Sequence, residues 1–105
     1  MNVTSSIQQI DRQIKGILRG IDTDNLAREE KQFIQKLKLA CNEVKLDLRD
    51  YEYAQTREEQ LKWAKLARHN LIALERYILE LPAFFLPVDV AELSAKIDEL
   101  KGRLR

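Results

Sequence analysis

The chain has 105 residues, 45% of them apolar and 33% charged, with 18 Lys and Arg set against 17 Asp and Glu. That length predicts a single domain over 1–105. The near-zero net charge removes bulk charge as a reason to bind polyanions, leaving only a local basic face to consider. With three Gly and two Pro among abundant Leu, Ala, Glu, Lys, Gln and Arg, the composition favours helix from end to end.

The first helix is expected over about 5–20. Ser5 and Ser6 are each followed three residues later by Gln, the spacing of a capping box. Ile7, Ile10, Ile14, Ile17 and Ile21 then recur at alternating steps of three and four, a strict a/d seam. Gly20 and the polar run Asp22-Thr23-Asp24-Asn25 close it. The second helix is expected over about 25–54, uninterrupted by Gly or Pro. Its core stripe is Leu26, Phe33, Leu37, Ala40, Val44 and Tyr51, widened by Ile34, Cys41 and Leu48.

Thr56 with Glu59 makes a second capping box and predicts a third helix over about 57–81. Only that box argues for a turn at 54–57; one continuous helix is the alternative. Ala64, Ala67, Leu71, Leu74, Ile78 and Leu81 carry its seam, and Pro82 stops it. The connector Pro82-Ala83-Phe84-Phe85-Leu86-Pro87 is expected to plug one end of the bundle, or else to present a docking knob. Asp89 with Glu92 then opens a fourth helix over about 90–103, seamed by Val90, Leu93, Ile97, Leu100 and Leu104. The expected fold class is therefore all-α: a four-helix bundle-like domain built on a long antiparallel helical hairpin.

Relative lengths suggest how the pieces assemble. At about 1.5 Å per residue the two central helices run about 38–45 Å and the outer two only about 20–25 Å. Short loops make neighbours antiparallel, so the outer helices are expected to cover the end of the hairpin away from its turn. The turn half, roughly 41–68, would then lie bare, with Leu46, Leu48, Tyr51, Tyr53, Leu61, Trp63, Ala64 and Leu66 in it. Helix two moreover carries a second stripe, Leu39, Leu46 and Tyr53, about 150° from the core stripe, and a helix apolar on two sides is normally sandwiched. Leu39, Leu46, Tyr53, Trp63 and Leu66 are accordingly the candidate interaction surface, and a two-fold homodimer of mutually covering hairpins is the expected partner arrangement.

Candidate chemistry is sparse. His69 is the only histidine and Cys41 the only cysteine, too few for a zinc site within one chain. No Glu-x-x-His, glycine-rich phosphate loop or serine nucleophile motif occurs, and no catalytic residue, metal or cofactor is expected. Glu43, Asp47 and Asp50 share one face of helix two, and a magnesium-dependent nucleotide hydrolase is the third-ranked reading; Asp47 pairing with Lys65 or Arg68 is the simpler expectation. Lys31, Lys38 and Lys45 at spacing seven, with Lys62, Lys65 and Arg68 beside Trp63, make a nucleic-acid-associated regulator the runner-up. No apolar run approaches the roughly 18 residues a membrane span needs. The opening Met-Asn-Val-Thr-Ser-Ser has neither a basic nor an apolar signal region, so a reducing cytoplasm is the expected location. The leading functional expectation is a non-enzymatic protein–protein interaction module, an adaptor, assembly factor or small regulatory subunit.

Overall fold

A computed structural model describes residues 2–105. Among them are four helices and no strand: α1 (Val3–Arg19), α2 (Arg28–Tyr53), α3 (Arg57–Leu79) and α4 (Pro87–Arg103), with a short 3-10 turn at Thr23–Asn25. The expected architecture is present. α2 and α3 form the antiparallel hairpin, α1 packs on α2 and α4, and α4 packs on α3 and α1, so the four helices close a ring around one core.

Local chemistry explains the boundaries, including those that differ from expectation. α1 begins two residues early because Asn2 caps it, accepting the Ser5 N–H at 2.8 Å; neither Ser5 nor Ser6 is the cap. Asp22 caps the 3-10 turn instead of α2, taking the Asp24 N–H at 3.1 Å. α2 consequently starts at Arg28, where Glu30 reaches back to the Ala27 N–H. At the hairpin turn Thr56 accepts the Glu59 N–H at 3.1 Å, so the capping box does end one helix and begin another. α4 starts at Pro87, whose fixed φ and missing N–H suit the first helical position. Asp89 is then inside the helix, bonding back to the Leu86 N–H, rather than being the cap.

The core draws on all four seams: Ile7, Ile10 and Ile14; Leu37, Val44 and Leu48; Ala67, Leu71 and Leu74; Leu93, Ile97 and Leu100 are all fully buried. Each such Leu or Ile contributes about 1.5–3 kcal/mol by leaving water. Phe85 and Leu81 are buried as well, with Phe84 packed against the cluster, so the connector between the prolines plugs the bundle.

The expected placement holds for α4 and fails for α1. The Thr4 N–H reaches Glu52 in the last turn of α2, and Asp11 meets Lys45. Arg68 donates to the Leu104 carbonyl at 2.7 Å. α1 therefore covers the turn half of α2, not its start, whereas α4 folds back over the end of α3 as expected, its last residues reaching Arg68 and Ile72. The reason for the difference lies in the first connector, which is longer in reach than helix counting allows. Residues 20–27 run back along the first turns of α2, where Leu26 flanks Ile34 and Lys38, and residues 80–86 occupy the neighbouring end of α3. Leu48 and Ala64, expected in the bare half, are accordingly buried.

Candidate interaction surface

What remains uncovered is a face, not an end. Leu39, Leu46 and Tyr53 are 59%, 45% and 78% exposed, and seven-residue spacing stacks them in one row along α2. The row points away from the core made by Leu37, Val44 and Leu48, with about half a turn of helix between the two directions. On α3, Leu66 is 39% exposed and Trp63 half-buried. Leu66 departs from the α3 core stripe by about 120°, to the side on which Asn70 and Tyr77 meet α2. All five predicted surface residues thus belong to the outer side of the hairpin, with Trp63 at its margin, where the Lys62 ammonium lies 4.9 Å from its ring centroid.

The hairpin register is fixed by two contacts. Asn70 Nδ2 donates to Asp47 Oδ2 at 2.7 Å, and the rings of Phe33 and Tyr77 are 6.5 Å apart. Leu46 and Leu66 are consequently at about the same height on the outer side of the hairpin. Asp47 is buried, and its partner is Asn70, not the expected Lys65 or Arg68; Arg68 is turned toward α4 by the Leu104 carbonyl. Burial pushes the Asp47 carboxyl above its ordinary range, the Asn70 amide opposes that, and the neighbouring charges of Glu43 and Asp50 add to the rise. Glu43 and Asp50 have no ion-pair partner among the described residues. Nor do any three His, Cys, Asp or Glu among them converge on a possible metal position.

A second buried carboxylate went unnoticed in the sequence. Asp11 on α1 accepts from Lys45 Nζ at 2.6 Å and from Lys15 Nζ at 3.0 Å. Burial alone would raise its pKa, but the two ammonium groups outweigh it and hold the carboxyl below the ordinary value. The Asp11–Lys15 spacing of four was the available signal. Lys45 is thereby taken from the Lys31–Lys38–Lys45 strip and drawn toward the bundle. Cys41, facing the core as expected, lines a small cleft with Asp11 and Lys15, and burial followed by the adjacent Asp11 charge pushes its thiol up to about 12.

Two further apolar features escaped the seam counting: Ile72 and Leu79 on the α4 side of α3, and Leu86 and Val88 at the start of α4, are all exposed. His69 is exposed on α3. No helix among the described residues is long and apolar enough to cross a membrane. Comparison with known protein families, with curated proteins and with solved structures finds no match to this chain.

Proposed function

We propose that this chain is a non-enzymatic protein–protein interaction module that self-associates, serving as an adaptor, an assembly factor or a small regulatory subunit. One observation carries the reading: Leu39, Leu46 and Tyr53 stand in an exposed row on α2 that none of the other described residues covers. An exposed row of large apolar side chains on an otherwise charged helix costs solubility unless a partner removes it from water. A second copy is the simplest such partner, because a two-fold interface needs only one self-complementary patch.

Light scattering on the full chain at micromolar concentration tests the reading. The expected mass is twice the 12.3 kDa of one chain, falling to the single-chain mass for Leu46→Glu while the helical circular dichroism is retained. A wild-type chain that runs as a monomer across the micromolar range rejects self-association.

A further inference from the structure

The geometry points to a specific dimer: a two-fold axis parallel to the hairpin sets α2 of each protomer on α3 of its partner, joining Leu46 to the partner's Leu66 and Asp50 to the partner's Lys62. The inference rests on the self-association proposed above and deepens it by fixing which helix meets which.

Two charged rows lead to it. The outer side of α2 carries Glu43 and Asp50 between its apolar residues, whereas the outer side of α3 carries Lys62, His69 and Arg76. Neither row is neutralised by ion pairs among the described residues. The only ion pairs among the described residues are Asp11 with Lys15, Asp11 with Lys45, and Asp98 with Lys101. The acidic row on α2 is crowded enough that Glu43 and Asp50 disfavour the charge of Asp47 between them. The middle of the face is thus acidic on α2, at Glu43 and Asp50, and basic on α3, from Lys62 to Arg76, so each supplies what the other needs; Lys36 and Glu80 lie beyond this stretch.

Symmetry then chooses between two ways of pairing the faces. A two-fold perpendicular to the helices and centred on the apolar row near Leu46 lays α2 on α2, setting Glu43 against Asp50 of the copy; like charges brought together cost several kcal/mol. A two-fold parallel to the helices keeps every residue at its own height and lays α2 on α3. The register set by Asp47–Asn70 and Phe33–Tyr77 then aligns Leu46 with the partner's Leu66, Asp50 with the partner's Lys62, Glu43 with the partner's His69, and Leu39 with the partner's Ala73. Lys36 with the partner's Arg76 is the one like-charged level, at the edge of the face, and the Lys36 ammonium is already held 5.7 Å from the Phe33 ring centroid. The face spans roughly 40 Å of α2 by two helix widths, about 800 Å² per protomer, the area a stable interface requires.

Cysteine pairing tests the arrangement on the full chain, with buried Cys41 out of competition. Leu46→Cys and Leu66→Cys are prepared separately, then oxidised alone and as a mixture. The expected result is a disulfide-linked heterodimer in the mixture, formed at least about tenfold faster than homodimer from L46C alone. Charge reversal gives a second readout: D50K and K62D each weaken dimerisation by about tenfold, and the double variant recovers it, as expected for close opposite charges across an interface. Rapid self-crosslinking of L46C in a protein that is dimeric by mass overturns the parallel axis while leaving self-association standing. A monomeric wild-type mass removes both.

Discussion

Asn70 on α3 holds the buried carboxylate of Asp47 on α2 through a single 2.7 Å hydrogen bond. This is the polar tie at the centre of the hairpin, between two helices otherwise joined by apolar packing. Removing the amide leaves a buried charged acceptor without its donor, so Asn70→Ala is expected to cost about 1–3 kcal/mol in urea unfolding. A loss below about 0.5 kcal/mol would mean that water replaces the amide and that the tie is dispensable.

The same carboxylate makes stability depend on pH in an unusual direction. Asp47 holds its proton more tightly folded than unfolded, because burial and the charges of Glu43 and Asp50 outweigh the Asn70 amide. A raised acid stabilises the fold below the unfolded value of 3.8, and that contribution disappears as pH rises through the higher folded value. Asp47→Asn keeps an oxygen for Asn70 and loses the titration. The variant is expected to gain on wild type as pH climbs from about 4 toward 7, and to show no such gain below the unfolded value. Urea midpoints at several pH values read this directly; a gap independent of pH refutes it.

Asp11 works with the opposite sign. Lys45 and Lys15 hold its carboxyl below 3.8, so its contribution is present above that value and is lost as pH falls through the folded one. Asp11→Asn should cost about 1–2 kcal/mol at pH 7, modest for a buried carboxylate because both lysines keep contact with solvent. The difference from wild type should shrink below about pH 4 in acid unfolding. Lys45→Met should destabilise more than Lys15→Met, since Lys45 is the less exposed of the two.

The seams of Ile7–Ile14, Leu37–Leu48, Ala64–Ile78 and Leu93–Leu104 were legible because a helix's periodicity survives in the order of its residues. So was the row Leu39–Leu46–Tyr53, which needs only one helix to be recognised. The fold-back of α4 over the end of α3 was legible, because a short connector leaves little choice. The position of α1 on α2 was not: it depends on the path of residues 20–27, whose conformation no periodicity encodes, and counting helical rise assigned those residues no reach. The partner of Asp47 was missed for a related reason. Charge favoured Lys65 or Arg68, but the Leu104 carbonyl takes Arg68, and the register brings Asn70 to Asp47.

Cys41 should be inert while the chain is folded. It is almost wholly buried in α2, and its thiol is pushed up to about 12 by burial and by the charge of Asp11. The thiolate is the reactive form, so two barriers act together: little of it exists at neutral pH, and reagent has no access to it. Reaction with a chromogenic disulfide at pH 7.5 is expected to run at least about a hundredfold slower than for the unfolded chain, with a rate that follows urea-induced opening. Immediate stoichiometric reaction in native buffer would show that α1 does not stay closed over this part of α2.

Phe85 offers the sharpest test of the connector between α3 and α4. It is buried to the same degree as the helical core although it belongs to no helix, while its neighbour Phe84 is only partly covered and Leu86 is exposed. Its backbone N–H bonds to the Leu81 carbonyl at 3.1 Å, tying it to the end of α3. Truncating a fully buried phenylalanine removes its transfer energy and leaves a cavity, about 3–5 kcal/mol together. Phe85→Ala should therefore approach the cost of unfolding a domain of this size, whereas Phe84→Ala should cost clearly less. Phe85→Leu, which refills most of the volume, should recover the greater part of the loss. Thermal midpoints of the three variants decide the matter: equal losses for F84A and F85A would mean that the connector covers the core loosely, with no single side chain serving as the plug.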